Sequence, residues 1–404
     1  MSANSWIDLP DHLATALEET RAMGKKYLRP LGLEADKRGG PHPPDHAFYR
    51  WYAESGKMGA TVEADLSGDR FAGDRWAARR MVVTMEETSY WDRGMAVSLP
   101  GPGLGGPTVM AIGTPAQQKR FLHPFLDRSR PRWAAFGMTE PGAGSDVARI
   151  ATRCEKRGDQ WVLNGAKAFC SNSPRADWVI IYATIDPKLG RAGHRVFAVP
   201  PSTPGFTTPR LERKMGLKAY ETASFELEDC VVPADHLLGG EQAYGEDRGK
   251  AGFTSAMKAF DFSRPGMAAM AIGIGRAAYE HARDWVVQHD MISRPVPRVQ
   301  RIIDRLADME RKLRAGFLLC WKAASLLDLG ERASLQASLS KAYCAPVALE
   351  ACSMAMDILG EAGIAKDHFV EKLFRDAKAL DIIEGTGQVQ RIIIARHLLG
   401  LPGS

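Results

Sequence analysis

The segment Met138-Thr139-Glu140-Pro141-Gly142-Ala143-Gly144-Ser145-Asp146 decides the fold, together with Ile383-Glu384-Gly385-Thr386-Gly387-Gln388 about 240 residues later. In the first segment, small residues flank two hydroxyl side chains, so backbone N–H groups and hydroxyls can approach a bound group closely. In the second, a single carboxylate follows two apolar residues. Each pattern has a simpler interpretation, a flexible surface turn for the first and a solvated charge for the second. Their joint occurrence, in this order, favours a functional site.

The bulk composition is that of an ordinary soluble protein. The 404 residues suffice for two or three domains with buried cores, and 45% are hydrophobic and 25% charged. The net charge of +5 favours an anionic ligand, but the sequence has no basic cluster of the kind that follows a nucleic-acid backbone. No apolar run reaches membrane-spanning length, and the N-terminus lacks a secretory pattern. We therefore expect a cytoplasmic protein that binds neither nucleic acid nor membrane.

Six cysteines are scattered along the chain without the spacing of a metal or redox motif, so no metal site is predicted. Disulfides are rare in the cytoplasm. We expect reduced, mostly packed thiols at Cys154, Cys170, Cys230, Cys320, Cys344 and Cys352.

Hydrophobic periodicity divides the chain into three predicted domains, helical over 1–130, β over 131–242 and helical over 243–404. In the first domain, Thr114 and Pro115 suit a helix N-cap and first turn, which predicts a short helix at Ala116–Leu122. In the last, Pro265 is expected in the first turn of a long helix opened by Asp261. An apolar stripe at steps of three and four predicts a helix-bundle core, and it comprises Ile302, Leu306, Met309, Leu313, Phe317 and Cys320.

The middle domain shows the alternation of a small antiparallel sheet. Trp161–Phe169 is predicted to be a hairpin, because Asn164-Gly165 readily adopts the positive φ angles of a type I′ turn. Further strands are predicted at Val179–Ile185, Arg195–Val199 and Ser224–Val232.

The run Gly101-Pro102-Gly103-Leu104-Gly105-Gly106 contains the GxGxxG pattern of dinucleotide-binding turns. Such a turn needs a strand before it and a helix that opens at the third glycine. Prolines bracket this run, and no strand–turn–helix pattern surrounds it. An irregular loop is therefore predicted.

The two segments quoted first closely resemble signatures of the acyl-CoA dehydrogenase family, a flavin-binding turn and a catalytic base. The run Gly113–Lys119 is also common in that family, and the resemblance covers nearly the full length. It implies an α+β fold with an N-terminal helical domain, a central antiparallel β-barrel-like domain and a C-terminal four-helix bundle. It also implies FAD as cofactor and the α,β-dehydrogenation of an acyl-CoA thioester to a 2-enoyl-CoA, a reaction of the β-oxidation type.

The resemblance implies individual contacts with the cofactor and the substrate. Phe169 and Ser171 stand where the family usually has Trp and Thr, so an aromatic ring still covers the flavin face and a hydroxyl still lies near N5. The implied cofactor-binding residues are Phe136, Met138, Thr139, Gly144, Ser145, Phe169, Ser171, Thr386 and Gln388. The implied substrate-binding residues are Ser145, Asp261, Arg264 and Gly385.

Glu384 is implied to be the catalytic base, which removes the α-proton of the thioester while a hydride leaves the β-carbon for the flavin. A carboxylate in an apolar, water-poor pocket has a raised pKa and is a better base. Some family members carry the base immediately before the residue that matches Arg264. Here that position is Ser263, which cannot act as a carboxylate base.

The second half of the family's FAD site is altered in this sequence. In the family, a neighbouring chain supplies an Arg and a Gln-x-x-Gly-Gly-x-Gly segment around the ADP part. Here His289 and Ile292-Ser293 stand at the first, and Asp357-Ile358-Leu359-Gly360-Glu361-Ala362-Gly363 at the second. The carboxylates of Asp357 and Glu361 would each disfavour a pyrophosphate by on the order of 1 kcal/mol. Either nearby groups such as Arg294 compensate, or a paralogous partner chain supplies the ADP contacts.

The expected partners are an acyl-CoA substrate, an electron-transferring flavoprotein as acceptor, and either a homotetramer or an α2β2 heterotetramer with a paralogue. The alternative function is a non-catalytic or partner subunit of a heteromeric acyl-CoA dehydrogenase-like complex. A nucleic-acid-binding relative is disfavoured by the missing basic cluster. An acyl-CoA oxidase is disfavoured because such chains usually carry a further C-terminal domain. The sequence does not specify whether the acyl chain is fatty, steroid-like or polyketide-like.

Overall fold

The computed structural model describes residues 6–66, 75–207, 210–244, 249–293 and 296–401, and at 64–65, 249–261 and 296–298 it describes the backbone alone. Helices precede and follow a central sheet. This order agrees with the three-part architecture that the sequence predicts.

The N-terminal part is helical. Its α-helices are α1 (Asp11–Met23), α2 (Arg29–Arg38), α3 (Ala47–Glu54), α4 (Ala60–Leu66), α5 (Ala77–Ser98), α6 (Gly105–Ile112) and α7 (Pro115–Leu122), with a π-helical turn at Gly24–Leu28 and a 3-10 turn at His123–Leu126. The predicted cap of α7 is confirmed: Thr114 Oγ1 accepts the Gln117 N–H at 3.3 Å, and Gln117 Oε1 accepts the Thr114 N–H at 2.9 Å. This capping box satisfies two donors that the first turn of a helix cannot bond internally.

The middle of the chain forms a seven-stranded sheet of the order β1-β4-β2-β3-β7-β6, with β5 beside β4. The strands are β1 (Ala134–Gly137), β2 (Arg153–Arg157), β3 (Gln160–Ser171), β4 (Trp178–Thr184), β5 (His194–Val199), β6 (Arg210–Leu211) and β7 (Thr222–Pro233). The three strands predicted from period-two alternation are β4, β5 and β7. Most neighbouring strands are antiparallel, but β1 and β2 both run parallel to β4. The sheet is therefore mixed rather than wholly antiparallel, because the long segment carrying β2 and β3 provides the crossover that parallel pairing needs.

The prediction of a hairpin turn at Asn164-Gly165 is wrong. The strand β3 runs through both residues, and the turn between β2 and β3 lies at Gly158 and Asp159, where Gly158 has φ 59°. At Asn164-Gly165 the register of β3 against β7 shifts by one residue, which is a β-bulge. A Cβ on Gly165 would lie 2.6 Å from the Cα of Thr152. The Asn-Gly pair therefore forms a β-bulge at a position where a side chain on Gly165 would not fit. The local sequence does not distinguish such a bulge from a turn.

In the Gly-rich run, residues 101–104 form a loop, and Gly105 and Gly106 begin α6. The element before it is the helix α5 and not a strand, so it is not a dinucleotide-binding turn. A Cβ on Gly105 would lie 2.6 Å from the Trp178 ring. This glycine permits close packing of α6 on β4.

The C-terminal part comprises α8 (Gly249–Gln288), α9 (Val296–Asp328), α10 (Ser334–Leu359), α11 (Glu361–Ile364), α12 (Val370–Ala379) and α13 (Gly387–Leu398). The 3-10 turns between β1 and α9 are Val147–Arg149, Ser173–Arg175, Pro187–Gly193, Ala234–His236, Glu241–Tyr244 and Met291–Ser293. The expectation that Pro265 lies in a first helical turn is wrong, since α8 begins at Gly249. Packing of α8 against α5, α9 and α10 outweighs the backbone hydrogen bond that the proline removes.

The predicted stripe of α9 belongs to the helical core. Met309, Leu313, Phe317 and Cys320 are buried there, and the other two members of the stripe pack against them. The helix α8 approaches α5 so closely that a Cβ on Gly273 would lie 2.0 Å from a backbone oxygen of α5. Small residues therefore determine the spacing of this bundle.

The helix α10 is, by length and composition alone, apolar enough to cross a membrane. Half of its most apolar window is buried inside the protein, where it packs against α8 and α9. This arrangement is that of the central helix of a bundle.

All six cysteines are buried and free, so the predicted packed thiols are confirmed. Burial raises the pKa of both Cys154 and Cys170 to about 12. Cys320 and Cys344 contact each other across α9 and α10, with their sulfur atoms 3.7 Å apart.

Candidate active site

Glu384 lies in the loop between α12 and α13, in a backbone conformation that is rare for a residue with a side chain. Its φ is 53°, and Gly385 after it has φ 90°. A left-handed conformation costs a non-glycine residue roughly 1–2 kcal/mol, so the surrounding structure must hold it. Thr386 then caps α13, its hydroxyl accepting the Val389 N–H at 3.4 Å.

The Glu384 carboxylate is surrounded by a hydroxyl and three cations. Burial raises its pKa above the ordinary value, and the charges of Arg93 and Lys341 oppose that rise. Ser263 Oγ donates to Oε2 at 3.3 Å and also opposes it, as does the more weakly acting Arg264. The balance leaves a glutamate with a raised pKa, which suits a base that takes a proton from carbon.

Lys341, on the buried face of α10, contacts the same loop. Its Nζ donates to the carbonyl of Ile383 at 2.6 Å and to the carbonyl of Gly385 at 2.5 Å, one on each side of Glu384. Burial lowers the pKa of Lys341 to about 8, against the attraction of the carboxylates of Glu384 and Asp381. The ammonium therefore both clamps the loop and places a positive charge beside the Glu384 carboxylate.

A break in α5 presents Arg93 to the site. At Asp92 the backbone is extended, with φ −167° and ψ 112°, inside an otherwise helical segment. One carboxylate oxygen of Asp92 accepts a backbone N–H of the following turn at 2.8 Å, and the other accepts Lys372 Nζ at 2.6 Å. Burial lowers the pKa of Arg93, whereas Tyr220 and Glu384 raise it. Arg93 is thus a desolvated cation close to both of these groups.

The turn that follows β1 is tied to β3 by a buried ion pair. Glu140 accepts Lys167 Nζ at 2.6 Å and the N–H groups of Ala151 at 2.6 Å and Thr152 at 3.0 Å. Burial opposes ionisation of Glu140, but Lys167 and the N–H donors hold its pKa below the ordinary value. The Thr139 carbonyl accepts a further N–H from β3 at 2.9 Å. These bonds fix the turn against the sheet.

Phe169 is an exposed aromatic residue in a strained position of β3. It has φ 56°, lies at the register shift between Lys167 and Cys170, and is 66% exposed. A positive φ is a genuine outlier for a bulky residue and often marks a functional site. Its uncovered ring fits the flat isoalloxazine ring of FAD that the resemblance implies.

Tyr220 connects the two parts of the site. Burial raises its pKa, with Arg93 and the hydroxyl of Ser171 among its neighbours. Ser171 ends β3 two residues after Phe169, and Arg93 acts on Glu384. The exposed ring of Phe169 and the half-buried Glu384 therefore belong to one site.

The structure places the other residues implied by the resemblance as follows. Phe136 lies in β1 and is half-buried, as are Met138 and Thr139 in the turn that follows. Gly144 and Ser145 are exposed farther along this turn, and Gln388 is exposed in the first turn of α13. Arg264 is buried in α8 beside Ser263. The side chain of Asp261 lies outside the described residues. Among the residues whose side chains the structure describes, no cluster of His, Cys, Asp and Glu could hold a metal ion.

Sequence reasoning did not identify Arg93, Lys341 or Tyr220. The break at Asp92 lies next to Arg93 and Gly94, but a single glycine inside a helical pattern does not identify a break, so the sequence predicts Arg93 as one more helical residue. Lys341 did carry a signal, since it is the one cation in the apolar helix α10. Only the fold brings Tyr220 close to Arg93.

The positions at which the family's second half-site is altered lie at the surface. Asp357 pairs with Arg305 at 3.4 Å, and Glu361 is exposed. His289 stacks on a tryptophan ring of α8, with ring centroids 3.7 Å apart. Arg294 lies outside the described residues. The Arg305 cation partly neutralises one of the two carboxylates that disfavour a pyrophosphate.

Comparison with known proteins matches nearly the whole chain to three acyl-CoA dehydrogenase domains, the N-terminal at 10–129, the middle at 135–230 and the C-terminal at 250–399. The mitochondrial short-chain specific acyl-CoA dehydrogenase of Bos taurus is 33% identical over 395 residues, 97% of this chain and 91% of that protein. Subunit CarC of the caffeyl-CoA reductase-Etf complex of Acetobacterium woodii is 34% identical, over 86% and 88% of the two chains. Butyryl-CoA dehydrogenase from Megasphaera elsdenii has a similar structure, with a TM-score of 0.85 at 31% identity over 97% and 99% of the chains.

Proposed function

This chain belongs to the acyl-CoA dehydrogenase family of FAD-dependent oxidoreductases, and we propose that it oxidises the Cα–Cβ bond of an acyl-CoA thioester to a 2-enoyl-CoA. Glu384 is the proposed base. The observation that supports this role is the environment of Glu384, a carboxylate whose pKa burial raises in a loop clamped from both sides.

In the proposed reaction, Glu384 takes the α-proton of the thioester onto its carboxylate. The electron pair of that C–H bond becomes the new C=C bond as the β-hydrogen departs with its own pair. Bound FAD supplies the acceptor for this hydride. Because the negative charge moves from Glu384 towards the thioester, the cations Arg93, Lys341 and Arg264 remain near it throughout and stabilise the transition state.

The residues that would hold FAD are those around the exposed ring of Phe169. Phe169 would cover one face of the isoalloxazine, and Thr139 and Ser171 would offer hydroxyl groups at its edge. The exposed Ser145 would reach the pyrophosphate or the substrate. A buried ion pair anchors the turn that carries Thr139 and Ser145, so this part of the site is organised in advance.

We further propose that the acyl group is short and carries a hydrogen-bond acceptor, such as a carboxylate, at its distal end, so that this acceptor reaches Arg93 beside Glu384. The observation behind this is Arg93, whose Nε is buried without a hydrogen-bond partner. A buried guanidinium donor left unsatisfied is costly, and a ligand acceptor would remove that cost. In Arg93→Met, kcat/KM should fall at least about tenfold more for an ω-carboxyacyl-CoA than for the neutral acyl-CoA of equal length. Equal losses for both substrates would contradict the proposal.

An electron-transferring flavoprotein is the proposed redox partner, and the name of the Acetobacterium woodii relative supports it. That relative is named as a reductase, so the direction of the reaction needs its own test. The test compares two rates under anaerobic conditions. One is the rate of flavin reduction when the oxidised protein is mixed with acyl-CoA, and the other is the rate of flavin oxidation when the reduced protein is mixed with enoyl-CoA. We propose a cytoplasmic location, in keeping with six free thiols.

The direct test of the proposed base is Glu384→Gln, which keeps the size of the side chain and removes its basicity. The holoprotein should bind acyl-CoA but reduce its flavin roughly 10²–10⁴-fold more slowly, since general base catalysis contributes about that much. Glu350→Gln, an exposed change in α10, is the control and should leave the rate unchanged. If Glu384→Gln reduces flavin at the normal rate, Glu384 is not the base.

The oligomer is proposed to be a homotetramer or an α2β2 heterotetramer, and the FAD content per chain distinguishes the two. Near-stoichiometric FAD in the protein purified alone supports a self-sufficient homomer. Low FAD that rises to about half per chain on co-expression with a paralogue supports the heteromer. Bound FAD that acyl-CoA does not bleach in either preparation would instead support the alternative of a non-catalytic subunit.

A further inference from the structure

We propose that Lys341 is a positioning residue that fixes the backbone of Glu384 and so directs the base at the α-carbon of the substrate. The inference rests on the proposed role of Glu384 as base. It assigns a function to a side chain of α10 that lies in the helical core and is 2% exposed.

The first argument is the geometry of the two hydrogen bonds. Lys341 Nζ lies 2.6 Å from the Ile383 oxygen and 2.5 Å from the Gly385 oxygen, so these oxygens are no more than about 5 Å apart. In an extended strand, equivalent atoms two residues apart are separated by roughly 6.6 Å. Both bonds can form only when the chain curves at the residue between them. That residue is Glu384, with its φ of 53°.

The second argument is that Lys341 holds both sides of the loop. The side chain of Gln390 also donates to the Gly385 oxygen, at 3.2 Å, but it is neutral and reaches that carbonyl alone. The left-handed conformation of Glu384 is unfavourable for a residue with a side chain, so it has to be held by its surroundings. Hydrogen bonds from a charged donor are stronger than that from a neutral amide, and Lys341 supplies two of them.

The third argument is the cost of placing this charge in the core. Removing an ammonium from water costs several kcal/mol, and an apolar side chain at 341 would pack into α10 without that cost. The charged groups that face Lys341 are the carboxylates of Glu384 and Asp381 and, opposing them, the Arg264 cation. Lys341 therefore acts on Glu384 in two ways, through the backbone and through its charge.

Three variants separate these effects. Lys341→Met removes the charge and both donors, Lys341→Arg keeps the charge in a different shape, and Lys341→Gln keeps a donor without the charge. The readouts are the rate of flavin reduction at saturating acyl-CoA, the Kd of acyl-CoA, and exchange of the substrate α-proton with D2O by the reduced holoprotein. The exchange reports on the base without requiring hydride transfer.

In Lys341→Met we expect reduction and α-proton exchange to fall together by about 100-fold or more, with Kd changed by less than about threefold. In a plot of the reduction rate against pH, the acid limb is the part in which the rate falls with decreasing pH. This limb should move to higher pH in Lys341→Met, because the Lys341 charge lowers the pKa of Glu384. In Lys341→Arg the limb should stay in place while the rate remains low. Lys341→Gln should have a rate between that of Lys341→Met and that of the unchanged protein.

The matched control is Cys344→Ala, which removes a buried side chain from the same helix. The sulfur of Cys344 contacts Cys320 and the Gly316 carbonyl, both in α9. It should lower thermal stability and leave the rate, the exchange and the pH limb unchanged.

The proposal is overturned if Lys341→Met reduces flavin at the normal rate, or loses rate only in proportion to lost FAD. If Lys341→Met cannot be isolated as a holoprotein, the other two variants decide. Normal rates in both, or failure of all three to fold, would make Lys341 a structural residue only. An active Glu384→Gln would instead refute the proposed base, whereas an inactive Glu384→Gln beside a normal Lys341→Met would refute the present inference alone.

Discussion

Ser263 Oγ donates a hydrogen bond to Oε2 of Glu384 at 3.3 Å, so a residue of α8 and a residue of the loop before α13 meet at one carboxylate. Glu384 is the proposed base, and Ser263 stands at the alternative position that the family resemblance implies for the base. The structure therefore places the proposed position and the alternative position side by side.

The base should be transferable from one position to the other. Glu384→Gln combined with Ser263→Glu should regain flavin reduction to about 1% of the normal rate, because a base displaced by about 1 Å costs about 100-fold. The measurement is anaerobic stopped-flow reduction by acyl-CoA. Glu384→Gln with Ser263→Gln is the control and should stay inactive. If the glutamate at 263 gives no more rate than this control, the two positions are not equivalent.

The rate of flavin reduction should depend on the protonation of Glu384. Burial raises its pKa above 4.5, so the rate falls with decreasing pH at a higher pH than an ordinary glutamate would require. Arg93 is the cation that lowers this pKa most, so Arg93→Met should move the acid limb to still higher pH. The reduction rate measured against pH at saturating substrate gives the acid limb of the unchanged protein and that of Arg93→Met. A limb that moves to lower pH in Arg93→Met would refute this electrostatic arrangement.

Phe169→Ala should weaken FAD binding without destabilising the protein. The ring is 66% exposed, so its removal costs little folding energy, but the isoalloxazine would lose an aromatic contact. We expect the Kd for FAD to rise about tenfold in a reconstitution titration of the apoprotein. Leu211→Ala, at a 56% exposed position of β6, is the control. An unchanged Kd in Phe169→Ala would place the cofactor elsewhere.

Glu140→Gln should destabilise the fold by about 3–5 kcal/mol, because it leaves the buried Lys167 ammonium without its carboxylate. The free energy of unfolding from denaturant titrations measures this. Glu155→Gln removes an exposed ion pair on the same sheet and should change stability by less than about 1 kcal/mol.

The contribution of Glu140 should also depend on pH. Its pKa is lowered in the folded protein, so the stabilisation is present above the unfolded pKa of 4.5 and is lost as pH falls through the lower folded value. The stability difference between the protein and Glu140→Gln should therefore shrink in acid. A difference that stays constant with pH would contradict the ion pair.

Sequence reasoning succeeded where short-range chemistry determines the structure. The cap at Thr114, the strands β4, β5 and β7 and the stripe of α9 depend on neighbouring residues, and the structure confirms them. It failed where tertiary packing decides, at the bulge of Asn164-Gly165 and at Pro265 inside α8.

The same division applies to the site. The Glu384 loop and the turn after β1 are continuous segments, and each contains a recognisable sequence motif. Arg93 and Lys341 approach Glu384 from two separate helices, and no local sequence pattern predicts that these residues come together. Their contribution becomes apparent only after the chain has folded.

The burial of every cysteine has a practical consequence for experiments in solution. A thiol in the core, such as Cys154 or Cys170 with a pKa of about 12, is neither accessible nor ionised at neutral pH. Maleimide dyes should therefore leave the native chain unlabelled. A single cysteine introduced on the surface would become the sole attachment point for a fluorophore or spin label, with no need to remove the native ones.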